Sequence, residues 1–544
     1  MKPKKMKIKP LSSLINIKKH ENEKPQNVEN GISINKPIFA DLKENIEEIN
    51  TMMGNSSDLI IRDFIRTREP LVKGAVIYLK GIVDEKLVSD FIVKALIEEP
   101  IDSDIQPERS MESLLQFIES QILTVANIKF ADDWDSIIHD LLSGMTILFI
   151  DGANRALVGG TVGGEKRSVE EPTSEITIRG PKDGFTETIS TNIALIRRRL
   201  RSPHLRVEML QVGTVSQTDV AIVYLEGIAN EKIVKEVRDR LNRIEIDEIL
   251  SSGNIEELIQ DHNFTIFPTV FNTERPDIVA NTISDGRVTI IVDGTPFVLI
   301  VPTSFSQFFK AAEDYYQRYD LSTLIRILRY VAFTLAMLGP SIYIALITFH
   351  QDLIPTTLVI SLAAQREGIP FPAFIEAFIM EATFEILREA GVRMPRAIGQ
   401  AVSIVGALVI GQAAVQAGIV SAAMVIVVAG TAIASFTTPA YNLAVAGRIL
   451  RFVMMVFAAT MGLYGIMIGL IMLVAHLSSL RSFGVPYLAP FAPLNLEDQK
   501  DGLFRFPLWA SRKRPSLISQ KRTVRMKQGM KPAPPNAKDE SPDA

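Results

Sequence analysis

The chain has 544 residues, 58 of them Lys or Arg and 62 Asp or Glu, and its formal net charge of -4 excludes a broadly basic nucleic-acid binder. It has no cysteine, which excludes disulfides, thiolate catalysis and cysteine-ligated metal. The average of 22% charged residues hides a strong segregation, because apolar stretches concentrate in the carboxyl-terminal part of the chain.

Residues 1–45 are rich in Lys and Asn, with Lys2, Lys4, Lys5, Lys7 and Lys9 at the start, and lack the apolar core of a secretion signal. They read as a disordered basic arm on the cytoplasmic side, a solvated tail in the stronger reading and a contact for anionic membrane lipid in the weaker one. An internal repeat organises the region beyond this arm. GAVIYLKGIVDEKLVSDFIVKAL from Gly74 is matched by VAIVYLEGIANEKIVKEVRDRL from Val220, and SGMTILFIDG from Ser143 by DGRVTIIVDG from Asp285. Each copy predicts strand, helix, intervening elements, a second helix and a hairpin turned at Asp151-Gly152 or Asp293-Gly294, since Asp-Gly suits the positive φ of a tight turn. The expected divisions are α/β subdomains at 46–165 and 213–322, joined by a connecting helix and loops at 166–212. The connection carries Arg197, Arg198, Arg199 and Arg201, read as a solvated or interdomain salt-bridging helix. Gly159, Gly160, Gly163 and Gly164 lack the Lys-Ser/Thr pair of a phosphate loop, and the six histidines show no ligand spacing. No catalytic constellation, metal site or cofactor is expected.

Residues 323–480 predict an all-α polytopic membrane domain. Tyr330 to Phe349 and Phe452 to Ala475 are each long enough to cross a hydrocarbon core of roughly 30 Å, which takes about 20 helical residues. Gly339 and Pro340 sit in the middle of the first span, where a helix tolerates proline only if a neighbour satisfies the freed carbonyl; they are expected hinges. Leu353 to Ala364 is too short to cross alone. Ala373 to Ala390 predicts an amphipathic helix on which Glu381, Glu385 and Glu389 share a stripe with Glu376 nearby, either an acidic vestibule for cations or an interfacial helix pairing with arginines. Along the next segment Gln400, Ser403, Ala407, Gly411, Ala414 and Gly418 lie on one face, serving close helix packing or the wall of a pore built from several copies. Arginine placement leaves four to six crossings open. Residues 481–544 read as a mostly disordered basic tail.

Several long motifs occur in order: VEEP at Val169, RGPKDGF at Arg179, ALIRRRL at Ala194, NTERPD at Asn272, PFVLIVP at Pro296, FHQDLIPTTL at Phe349, QREGIPFPAFIEA at Gln365, the run from Glu385 to Val415, and ASFTTP at Ala434. By these the chain resembles the A subunits of the spore germinant receptors of endospore-forming bacteria, the GerA family. The resemblance implies a multi-pass protein of the spore inner membrane with its amino-terminal domain facing the core. It also implies partnership with a transporter-like, nutrient-binding B subunit and a lipoprotein C subunit, and a homo-oligomer, a pentamer in models, forming a nutrient-gated cation channel. It selects the pore reading of the Gln400 stripe. Rival readings are a non-conducting scaffold for the transporter-like subunit, a transporter in its own right, and the sporulation-specific relative of the A subunit.

Overall fold

The computed structural model describes residues 36–66, 72–98, 111–122, 127–164, 171–172, 174–394, 411–519, 521–527 and 529–532. The repeat is complete over nine elements. The first unit runs α1 (Leu42–Met53), β1 (Leu59–Arg66), β2 (Val72–Leu79), a helix α2 over 85–98 with a π turn at Val88–Val93, a helix α3 over 111–122, β3 (Ile128–Ala131), α4 (Trp134–Leu142), β4 (Thr146–Ile150) and β5 (Ala156–Gly159). The second runs α5 (Ile189–Arg199), β6 (Leu205–Val212), β7 (Thr218–Leu225), α6 (Glu231–Asn242), α7 (Ser252–Ile259), β8 (Phe271–Thr273), α8 (Pro276–Ser284), β9 (Val288–Val292) and β10 (Val298–Val301). The antiparallel sheets have equivalent strand orders, β1-β2-β4-β5-β3 and β6-β7-β9-β10-β8.

The expected boundaries shift for a physical reason. In each unit the Asp of the Asp-Gly turn also accepts a backbone N–H at the start of the first helix, Asp151 from Leu42 at 3.4 Å and Asp293 from Ile189 at 2.9 Å. A fully buried asparagine then brackets the preceding backbone. Asn45 accepts from Phe39 N–H at 3.0 Å and donates to its carbonyl at 2.7 Å, and Asn192 does the same to Thr186 at 2.8 and 2.6 Å. So α1 opens the first unit, and residues 36–45 fold with it, Ile38 being buried. Likewise α5 and β6 open the second unit rather than connecting the two. Arg197 on α5 is buried and donates to Asp58 at 2.7 Å and to Ser56 at 2.9 Å, which makes it the interdomain bridge expected of that helix.

After the second unit come α9 (Tyr319–Thr348), α10 (Thr356–Arg366), α11 (Ala373–Arg393), α12 (Ala422–Ser435) and α13 (Tyr441–Ser479). The carboxyl-terminal region is thus helical, and α9 and α13 are long and apolar enough to cross a bilayer. Phe305, Phe308, Phe309, Phe333 and Tyr487 join the core of the second unit to that of the bundle in one cluster of ring contacts.

Two expectations change here. First, the stretch from Phe452 to Ala475 does not continue in one direction. Gly462 adopts φ 62°, ψ -140° inside α13, a conformation open only to glycine. A side chain on Gly469 would meet Met454 at 2.7 Å, although fifteen residues of straight helix would separate them by roughly 22 Å. The chain therefore doubles back at Gly462. The outgoing arm runs beside α9, Gly447 facing Phe333 and Gly462 facing Phe349 and His350. The returning arm ends at the second unit, where His476 Nε2 lies 3.0 Å from Thr265 Oγ1.

Second, residues 481–519 are folded, not a disordered tail, because their apolar side chains complete the second unit. Leu480, Phe483 and Tyr487 are buried, Ser482 Oγ donates to Thr269 O at 2.7 Å, and Phe305 N–H donates to Tyr487 O at 2.7 Å. Toward the end of this segment, Ser519 Oγ donates to Ile228 O at 3.1 Å. The segment after α13 thus packs on the same α/β unit that leads into α9.

Candidate functional site: a buried arginine node in the bundle

Proline at 340 has no N–H to give to the carbonyl four residues earlier, Ala336. The helix nevertheless continues through it, so Gly339-Pro340 is not a break. Arg451, from the outgoing arm of α13, supplies the missing donor: its Nε–H reaches Ala336 O at 2.6 Å. The same guanidinium donates through Nη1 to Glu381 Oε2 on α11, and Glu381 Oε1 accepts from Thr431 Oγ1 of α12 at 3.1 Å. Arg451 and Glu381 side chains are 1% and 0% exposed. One ion pair therefore fastens four helices at the level where α9 lacks a backbone bond. Arg451 Nη2 has no hydrogen-bond partner among the described residues, so the node is not saturated.

The other acids of α11 are engaged as well. Glu376 is buried and accepts from the backbone N–H of Ser421 at 2.7 Å and from its hydroxyl, which places a carboxylate at the positive start of α12. Arg366 approaches its other oxygen at 3.7 Å. Glu385 pairs with Arg448 at 2.9 Å and Arg388 at 3.4 Å, and exposed Glu389 pairs with Arg393 at 2.7 Å. Within the single chain these carboxylates are thus engaged in helix contacts, Glu381 and Glu385 with arginines of α13, Glu385 and Glu389 with arginines of α11 itself, and Glu376 with Ser421 and Arg366, the pairing expected of the second reading of this helix.

Of the proposed pore stripe, Gln400, Ser403 and Ala407 lie outside the described residues. Gly411 is buried, with an added Cβ in ordinary contact with Val425 at 3.6 Å, so in this chain it packs against α12. Ala414 accepts the backbone N–H of Ile419 at 3.0 Å, and Gly418 ends its helix at φ +67°.

A second charged cluster sits at the foot of α9. Asp314 accepts from Arg329 at 2.8 Å and Arg326 at 3.1 Å, while Asp501 of the carboxyl-terminal segment meets Arg326 at 3.1 Å, Lys310 at 2.8 Å and Tyr315 Oη at 2.8 Å. Burial would raise the Asp501 carboxyl, but Lys310 and Arg326 hold it well below the usual carboxylate range. Sequence reasoning missed the node itself. Its signal is the conjunction of an interior proline, a glutamate on an apolar helix, and Arg451 directly before an apolar run, an arginine that sequence alone presents only as a marker of topology.

The family model for the Bacillus/Clostridium GerA spore germination protein matches residues 47–517. The chain is 50% identical to spore germination protein KA of Bacillus subtilis over 91% of this chain and 90% of that one. It is 40% identical to spore germination protein GerLA of Bacillus cereus over 90% and 98%. The solved N-terminal domain of the A subunit of the Bacillus megaterium spore germinant receptor GerK3 aligns at 38% identity, covering 50% of this chain and 98% of that one, with a TM-score of 0.39. On the extent of the family-model match and of the two relatives' identity, the chain belongs to the GerA family of spore germination proteins.

Proposed function

We propose that this chain is the membrane-embedded A subunit of a nutrient germinant receptor, acting in the spore inner membrane with its α/β units facing the core. It works with a transporter-like B subunit that binds the nutrient and a lipoprotein C subunit. Copies of the chain assemble as a ring, a pentamer, around a cation pathway that opens on nutrient binding. The observation that carries the gating part is the Arg451–Glu381 node: a single unsaturated guanidinium holds four helices where α9 has lost a backbone bond. In this reading the node is the element with two packings, and a ligand moves it by binding one better than the other. The start of α9, through Arg329 on Phe309 O, and the end of α13, through His476 on Thr265, both meet the second α/β unit, which supports an even number of crossings.

The test is ion flux from liposomes holding the full-length chain with its B and C partners. Nutrient-triggered monovalent cation release that is altered by Arg451→Lys supports the channel. A folded, oligomeric and nutrient-binding complex that releases no ions assigns the chain to the scaffold class instead.

A further inference from the structure

Between the second α/β unit and the near ends of α11, α12 and α13 lies a cavity of about 470 Å³. Its two walls carry opposite chemistry. On the bundle side stand Arg388 and Arg448, only 14% and 12% exposed, which share the single carboxylate of Glu385. Two guanidiniums against one carboxylate leave a surplus positive charge. The Nε atoms of both arginines and Thr438 Oγ1 are buried without a hydrogen-bond partner among the described residues. Buried donors in that state are costly to leave unpaired.

The facing wall comes from the α/β unit and presents acceptors, Glu175 and Glu313. Glu313 accepts the N–H of Ile178. Glu175 accepts from Thr273 Oγ1, and burial pushes its carboxyl up to about 7, against the opposing pull of that hydroxyl and Arg275, so it is part protonated at neutral pH. Of the nearby cations on this wall, Arg275 pairs with Asp277 at 2.8 Å, and Lys310 is turned to Asp501 at 2.8 Å, a carboxylate it shares with Arg326.

At the bundle edge of the cavity, Phe436 and Tyr441 are 73% and 66% exposed, and Ile433 one turn earlier on α12 is 69% exposed. A cationic wall, an accepting wall opposite it, and an apolar flank at the end of a helical bundle fit a phosphate ester whose other substituent donates hydrogen bonds. Arginine pairs are suited to phosphate oxygens through their planar donors. The carboxylates opposite suit a hydroxyl or primary ammonium, and the exposed aromatics suit an acyl chain at the membrane interface.

We propose that this cavity is a binding site for a phosphate ester carrying a glycerol or ethanolamine group, with the phosphate on Arg388 and Arg448 and the hydroxyl or ammonium on Glu175 and Glu313. The ester comes either from a glycerophospholipid headgroup or from a free, water-soluble ester.

The two sources are separated by measuring thermal unfolding and native mass spectra of the full-length chain in uncharged detergent. The added ligands are phosphatidylglycerol, phosphatidylethanolamine, phosphatidylcholine, diacylglycerol and sn-glycerol 3-phosphate. Phosphatidylglycerol or phosphatidylethanolamine is expected to stay bound and raise the unfolding temperature, with phosphatidylcholine weaker and diacylglycerol inert. Arg448→Gln should weaken retention about tenfold, in line with loss of one charge-assisted contact. Ala444→Phe keeps every charge, fills the cavity and should abolish retention while the unliganded chain unfolds near the wild-type temperature. Protection by glycerol 3-phosphate equal to that by the lipids upholds the site and assigns it to the free ester. Diacylglycerol matching the phospholipids, or retention unchanged in both variants, overturns the proposal.

Discussion

Replacing Arg451 by methionine removes the guanidinium from the bundle while keeping much of its length. Two groups lose their partner at once. Glu381, fully buried, keeps only Thr431, and breaking one side of a buried ion pair costs about 3–5 kcal/mol. Ala336 O, which Pro340 cannot serve, is left unpaired at a further cost of about 1–3 kcal/mol. The two terms separate by second substitutions. Glu381→Leu in the Arg451→Met background removes the orphaned charge and should recover most of the larger loss. Pro340→Ala in the same background restores an N–H to Ala336 O and should recover about 1–3 kcal/mol, while costing little in the presence of Arg451. The assay is titration of the purified full-length chain from mild detergent into sodium dodecyl sulfate, followed by far-ultraviolet circular dichroism, because Trp134 lies in the first α/β unit and Trp509 in the carboxyl-terminal segment. An Arg451→Met variant within about 0.5 kcal/mol of wild type, the range of surface substitutions, or one rescued by neither partner change, refutes the node as the fastening of the bundle.

Gly462→Ala should destabilise the chain by at least about 1–3 kcal/mol, since it forces a left-handed backbone and sets a Cβ 2.7 Å from His350. Gly418→Ala, with its nearest atom at 3.5 Å, should cost less, and equal losses in detergent unfolding would count against the hairpin. Asn45→Ala and Asn192→Ala should each cost about 2 kcal/mol or more by leaving a buried N–H and carbonyl unpaired, with limited proteolysis releasing the first unit in one variant and the second unit in the other. Burial raises the carboxyls of Glu175 and Glu256 from 4.5 to about 7, so the folded chain keeps protons that the unfolded chain has shed. Stability should therefore fall as pH rises between about 4.5 and 7 and then level off, and Glu256→Gln should flatten that slope in thermal unfolding; a slope that rises with pH contradicts the burial.

The duplicated α/β region was legible because its two copies repeat both apolar strands and Asp-Gly turns at matching offsets. That α1 and α5 open the two copies was not legible, although a helix carrying Arg197 was expected, because the two helices carry different surfaces. What they share is an asparagine six residues after the backbone it brackets, a signal too short to stand out in one sequence. In the bundle, the need for a neighbour to satisfy the carbonyl freed by Pro340 was legible from covalent chemistry alone, but the neighbour was not. Arg451 lies more than a hundred residues away, and only packing brings it to Ala336. The reversal at Gly462 was hidden for another reason: hydropathy measures how apolar a stretch is and carries no direction. The carboxyl-terminal segment was misread because Pro and basic residues suggest disorder, whereas Phe483 and Tyr487 complete a core formed by elements that precede the bundle.

That last arrangement sets an order of assembly. The second α/β unit is synthesised early but lacks Leu480, Phe483 and Tyr487 until every helix of the bundle has left the ribosome. A chain whose hairpin at Gly462 inserts incorrectly delivers those three side chains to the wrong place. Its α/β unit then stays open along an apolar seam, so a fault within the helices is displayed in water, where chaperones and proteases can find it.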